Sequence, residues 1–192
     1  MFFKDIAGQE IVKSKLIQSF QNQRISHAWL FAGPEGNGKL ALAIAYAQFL
    51  SCTDKKQNDS CGVCESCIKY QKLIHPDLHF VFPVIKTKKI QKPISDDFMN
   101  QWRKFVLDFP YYSLNNWLAE LGVENQQAGI FTQESAEIIR KLNLKSYESE
   151  YKIMIIWIPE RMNITASNKL LKIIGSLHPK RCLFSYQKIP KK

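Results

Sequence analysis

Long apolar runs are missing from these 192 residues. The longest is Leu40-Ala41-Leu42-Ala43-Ile44-Ala45-Tyr46-Ala47, followed by Ile153-Met154-Ile155-Ile156-Trp157-Ile158, both far short of the roughly 20 residues that span a bilayer. The N-terminus turns charged at Lys4 and Asp5, before a secretory apolar segment could form. No internal repeat and no low-complexity tract interrupts the chain. Acidic residues are lacking toward the end: residues 176–192 carry Lys180, Arg181, Lys188, Lys191 and Lys192 and no acid. Residues 1–175 then hold 22 basic and 17 acidic side chains, net +5 of the total +10. That mild balance permits nucleic acid nearby without demanding it. What is present is globular, 45% hydrophobic and 23% charged, with enough chain to bury a core unaided. The expectation is a soluble, cytoplasmic protein with no membrane partner. Its five cysteines suggest a metal or reactive thiols before disulfides.

The patterning alternates between helix and strand. Residues 8–22 read as an amphipathic helix with Ile11, Val12, Leu16, Ile17 and Phe20 on one face. Ala28 to Ala32 reads as a buried strand, Leu40 to Leu50 as an Ala-rich helix and Leu78 to Phe82 as a second strand. Ile153 to Ile158 is continuously apolar, as strands of buried parallel sheets are. Asn163 to Ile174 is a further helix. Strands separated by helices imply a layered α/β domain with a parallel sheet. Residues 84–130 read as an insertion, opened by the basic Lys86-Thr87-Lys88-Lys89. Ser95 is expected to cap a helix bearing Phe98, Trp102, Phe105, Val106 and Phe109, and Leu114, Trp117, Leu118 and Leu121 repeat the spacing. Packing of these aromatics on the body is favoured over a base-stacking surface.

Between the first strand and its helix stands Gly33-Pro34-Glu35-Gly36-Asn37-Gly38-Lys39-Leu40. It fits G-x-x-x-x-G-K. Such a loop needs glycines so that successive N–H groups can wrap phosphate oxygens. It also needs a lysine for the outer phosphates and a helix N-terminus to favour the anion. What it lacks is the hydroxyl: position 40 is Leu, where Ser or Thr would reach Mg²⁺. Nor does the strand at 153–158 carry an acid at its tip, which reads Ile156-Trp157-Ile158-Pro159-Glu160. With both magnesium contacts missing, weak ATP or phosphate binding through Gly33 to Lys39 is the expectation, with no magnesium site, no hydrolysis and no catalytic residue.

Cys52, Cys61, Cys64 and Cys67 follow C-x8-C-x2-C-x2-C. A C-x2-C turn aims two thiolates at one point, and Gly62 suits the knuckle. Four thiolates complete a closed tetrahedral zinc site with no open position for catalysis. A disulfide pair is disfavoured in the cytosol. An iron–sulfur cluster fits less well, because the fourth cysteine lies upstream and no Cys-Pro follows. His75 and His79 read as a loop and a strand histidine rather than ligands.

With these residues placed, the chain resembles the clamp-loader ATPase family of bacterial DNA replication, on an AAA+ fold, over residues 2–174. The marks are Phe3-x-x-Ile6-x-Gly8-Gln9, Arg24-Ile25-x-His27-Ala28, the phosphate loop, the four-cysteine insert, His75-Pro76-Asp77 and Asn168-x-Leu170-Leu171-Lys172. Family members of the gamma/tau kind keep a Thr after the lysine and an Asp-Glu pair after the strand. Leu40, Trp157 and Ile158 stand there instead, a departure similar to the non-hydrolysing delta-prime branch. The resemblance implies a three-layer phosphate-loop domain over residues 1–175, with a zinc module at 51–70 and the helical insertion at 84–130. It implies gamma/tau and delta subunits as partners, with the sliding clamp and primed DNA engaged indirectly through the ring. A gamma/tau-like ATPase is the alternative, and would need a substitute magnesium ligand such as Asp77 or Glu160. A zinc-stabilised nucleic-acid module using the loop at 86–89 is a second alternative.

The tail departs from the family. After Ile174 the resemblance implies Glu-Glu-Pro-Pro, then Lys-Thr-Leu-Phe and an apolar strand, where this chain reads Gly-Ser-Leu-His-Pro-Lys-Arg-Cys-Leu-Phe-Ser-Tyr-Gln from Gly175 to Gln187. One deleted base converts a coding sequence for the expected continuation into this one, residue for residue. Residues 176–192 are therefore expected to be an out-of-frame basic tail, poorly packed, with the lid and collar domains absent. The sheet is expected to lack the strand that should follow 153–158, and the chain to be unable to join a ring.

Overall fold

The computed structural model describes residues 1–108, 111, 113–123, 126–175 and 180–188. Four strands, β1 (Ala28–Gly33), β2 (Leu78–Val81), β3 (Lys152–Trp157) and β4 (Arg181–Lys188), form one sheet. Their order is β1-β4-β3-β2 and every pairing is parallel. β3 is buried along its whole length and feeds both faces. Ile153, Ile155 and Trp157 join the larger core, while Met154 and Ile156 join a second cluster with Ile138, Leu142, Ala166 and Leu170. An interior parallel strand covered on both sides has no polar face to keep.

The larger core is built on α2 (Lys39–Ser51), in which every residue from Leu40 to Ser51 is buried. Seven of its positions are Ala or Leu, so it forms a helix by propensity and fits between layers by size. Against it pack α1 (Glu10–Gln21) and the N-terminal turn, through Phe20 and Phe3 on Phe49. The opposite layer is α6 (Thr132–Asn143) and α7 (Ile164–Ile174).

The insertion supplies α4 (Met99–Asp108) and α5 (Leu114–Glu120), beyond α3 (Glu65–Gln71) of the cysteine module. Its aromatics pack inward. Trp102 stacks on Phe82 at 4.2 Å between ring centres, and Trp117 meets both edge-on. The Trp117 indole N–H donates to Pro83 O at 2.8 Å. Phe109 lies outside the described residues. Ser95 does not cap the following helix as expected. Its hydroxyl instead bonds the Phe82 backbone, accepting from N at 3.0 Å and donating to O at 3.3 Å, and its own N–H donates to Glu134 Oε2 at 2.7 Å.

Glu134 carries a pH consequence. Burial pushes its carboxyl up to about 7, against the pull of the Ser95 N–H and of Lys141, and its Oε1 has no partner among the described residues. A folded-state pKa above the ordinary 4.5 means the stabilising protonated form is intact below pH 4.5 and is lost as pH rises through about 7. Glu134→Gln stays neutral throughout. Its urea midpoint should therefore fall less than the wild-type midpoint between pH 5 and pH 8; parallel falls would refute the assignment.

The tail requires a correction. The strand expected to be missing is present: β4, at Arg181–Lys188, lies between β1 and β3 and pairs with both. Leu183, Phe184 and Tyr186 give that segment β propensity despite its basic character. Two facing strand edges, with unpaired N–H and C=O groups on each, favour any such segment between them. Residues 176–179 and 189–192 lie outside the described residues.

Candidate functional site

The loop expected to hold phosphate follows β1 directly and opens α2. Gly36 and Gly38 have φ of +76° and +78°, backbone that residues with a Cβ resist. Gly38 is the N-cap of α2. Lys39 is turned back on its own loop: its Nζ donates to Gly33 O at 3.0 Å, to Asn37 Oδ1 at 3.0 Å and to Pro34 O. Gln9 Nε2 donates to Asn37 O at 3.3 Å, tying the loop to the N-terminal segment. A cavity of about 280 Å³ lies over the loop, lined by Glu35 to Leu40, by Tyr111, Leu114 and Asn115, and by Trp157, Ile158, Glu160 and Arg161. Gly33 and Pro34 are outside that lining.

The positions that lack magnesium chemistry are filled by apolar packing. Leu40 is buried. The Trp157 ring sits 5.0 Å from Trp102 and 5.9 Å from Phe105 between centres. Ile158, just after β3, has φ +55° and ψ +61°, a left-handed backbone that costs a β-branched residue about 1–3 kcal/mol. Of the two substitute ligands, Glu160 lines the cavity and Asp77 does not.

Asp77 is engaged elsewhere. It is fully buried. Its Oδ1 accepts from Tyr147 N at 2.7 Å and from Lys152 Nζ at 3.3 Å, and its Oδ2 accepts from the N–H groups of Glu148 and Ser149 at 2.8 and 2.9 Å. Burial raises its pKa, but the three N–H donors and Lys152 outweigh that and hold it below the usual value. His75 supports the same corner: its Nδ1 accepts from Asp77 N at 3.1 Å, and its ring packs on Tyr70 at 4.7 Å. His79 is on β2, and neither histidine belongs to the cysteine cluster.

Cys52, Cys61, Cys64 and Cys67 converge. Their four sulfurs lie within 4.8 Å of one another, with no other such metal-holding group among the described residues. Sγ–Sγ separations are 3.9 Å for Cys64–Cys52 and 4.0 Å for Cys61–Cys67. A tetrahedron of thiolates with Zn–S near 2.3 Å has edges of about 3.8 Å, so the donor set and its spacing fit one ion. Gly62, with φ +81°, forms the knuckle. A Cβ there would come within 2.7 Å of the Phe2 ring. The Cys61 N–H points at Cys52 Sγ and the Cys64 N–H at Cys61 Sγ, both at 3.3 Å, the arrangement that stabilises thiolate. Burial pushes the Cys67 and Cys52 thiols up. For Cys64 burial acts the same way but is outweighed by hydrogen bonds, from Thr53 first, which bring it down to about 6.

A parallel α/β sheet, a glycine-lysine loop and a four-cysteine module together define the class, and sequence comparison places the chain within it. The family model described as DNA polymerase III, delta subunit, matches residues 8–181; the chain belongs to that family. The DNA polymerase III subunit gamma/tau of Mycobacterium tuberculosis is 42% identical over 66 residues, covering 34% of this chain and 11% of the relative. Protein STICHEL-like 4 of Arabidopsis thaliana is 37% identical over 68 residues, covering 35% and 7%. The chain thus spans a small fraction of the length of the curated relatives it matches. Among solved structures, the gamma subunit-related DNA polymerase III protein of Thermotoga maritima superposes with a TM-score of 0.50. That match covers 93% of this chain and 38% of the other at 11% identity, a likeness of fold. No helix among the described residues is long and apolar enough to cross a membrane.

Sequence reasoning found the four cysteines and the loop from spacing alone. It missed Tyr111, Asn115 and Gln9, which reach the loop through the fold and carry no motif.

Proposed function

We propose that the chain is a non-hydrolysing, delta-prime-like clamp-loader subunit on an AAA+-type phosphate-loop domain that runs from the N-terminal turn through β4. As a fragment of the full-length family member it belongs to a protein that would act in the cytoplasm with gamma/tau and delta subunits and serve the sliding clamp and primed DNA through them. One observation carries this reading: a phosphate-loop backbone whose magnesium positions are occupied by buried Leu40 and by Trp157 in the aromatic core. Zinc held by Cys52, Cys61, Cys64 and Cys67 would be a structural ion, closing the module between α2 and α3. Lys39 and the α2 N-terminus can still attract a phosphate, weakly, because the helix dipole and one cation remain.

Magnesium discriminates. Where a loop hydroxyl bridges nucleotide and metal, Mg²⁺ strengthens binding; here adding Mg²⁺ should not strengthen pyrophosphate binding measured by calorimetry. Strongly magnesium-dependent binding would favour the second reading, a gamma/tau-like ATPase. The 42% identity to a gamma/tau subunit and Glu160 at the cavity speak for that alternative.

A further inference from the structure

The cavity over the loop is closed on one side by residues that phosphate binding does not require. They belong to the insertion: Tyr111, and Leu114 and Asn115 at the start of α5. A Cβ added to Gly38 would come within 2.8 Å of Tyr111 Cε1, and one added to Gly36 within 3.9 Å of the Tyr111 carbonyl oxygen. The tyrosine therefore lies against both inner glycines of the loop, at the end of α2 where an anion would meet N–H groups. About 280 Å³ is left, at the small end of ligand sites. That space suits a phosphate or pyrophosphate better than a nucleotide, which must also seat a ribose and a base.

The geometry points to an autoinhibitory contact: Tyr111 covers the phosphate loop and excludes nucleotides, leaving room only for a small anion. The inference rests on reading Gly33 to Lys39 as a phosphate loop, and adds a steric reason for weak nucleotide binding that is independent of the missing magnesium contacts. The ring edge makes the contact at Gly38 and the carbonyl the one at Gly36, so Tyr111→Phe should preserve the cover and Tyr111→Ala should remove its ring while leaving the backbone in place.

The test uses the full chain and two probes, a fluorescent ADP analogue (mant-ADP) and inorganic pyrophosphate, with thermal melts to confirm that each variant is folded. Tyr111→Ala should bind mant-ADP at least about tenfold more tightly than wild type, while pyrophosphate affinity moves much less. Tyr111→Phe should behave as wild type. Adding Lys39→Ala to Tyr111→Ala should abolish the gain. Equal mant-ADP affinity in wild type and Tyr111→Ala, with binding that depends on Lys39, would overturn the covering role and leave the loop reading standing. A gain that survives Lys39→Ala would overturn it too, because the nucleotide would then be binding elsewhere. If neither probe binds any folded variant, the loop reading fails and the covering role falls with it.

Discussion

Purified under reducing conditions, the chain is expected to carry one zinc ion, and Cys64→Ser to lose it. Structural zinc contributes roughly 10–16 kcal/mol of apparent binding free energy in zinc-finger peptides, where it is the whole driving force for folding. Here a core built on α2 and β3 exists without it, so the loss should unravel mainly residues 51–70. Its start, residues 52–64, is fastened to the body mainly by polar and single-ring contacts, among them the Phe2 ring against Gly62, Lys4 N–H on Asp59 Oδ2 at 3.1 Å and Gln48 Nε2 on Ser60 Oγ at 2.7 Å, while α3 is held further by Tyr70 in the core and by Lys69 on Glu148. Hydrogen exchange after chelation should therefore show protection lost across 51–70 and retained in β3. Iron in the metal analysis, no metal at all, or full zinc occupancy in Cys64→Ser would contradict this assignment.

Asp77→Ala is expected to be among the most damaging single substitutions outside the apolar core, at about 3–5 kcal/mol, because it leaves Lys152 buried without its counter-charge and three N–H groups without their acceptor. The loop at 147–149 is held to the start of β2 by that carboxylate, and Glu148 in turn grips Lys69 of α3 at 2.5 and 2.6 Å. The depressed pKa of Asp77 fixes the sign of the pH effect: its contribution is present above the ordinary carboxylate pKa and is lost as pH falls through the lower folded value. Denaturant midpoints of wild type and Asp77→Ala should converge in strong acid. A loss below about 1 kcal/mol at neutral pH would show that the buried pair is not what holds this corner.

Elements with a strong local signal were legible in the sequence. β1 and β3 are unbroken apolar runs, α2 is rich in Ala and Leu, and the cysteine spacing gives the cluster without any tertiary knowledge. β3 stops at Trp157 rather than Ile158, whose left-handed backbone no propensity would suggest. What stayed hidden depends on distant partners. α6 has a clear apolar face, but its decisive residue is a buried acid, Glu134, whose partner Ser95 lies 39 residues away; composition alone places such a residue on the surface. Ser95 looks like a cap because capping is the local use of serine, and a backbone group across the fold took it instead. The tail's departure from the family continuation and its basic character point away from a strand, yet neither says whether a segment can fill a slot between two strands, as β4 does. His75-Pro76-Asp77 stood out only by resemblance, and its physical work, gathering the 147–149 loop, appears only when residues 70 apart in sequence meet.

On the proposed reading, Gly33 to Lys39 form a phosphate loop that does no hydrolysis. ATP turnover by the metal-replete chain, with and without primed DNA, tests it most directly, with Lys39→Ala as control. No phosphate release above background is expected in either condition, and no difference between wild type and Lys39→Ala. Magnesium-dependent turnover that disappears in Lys39→Ala would contradict it and establish the chain as a working ATPase.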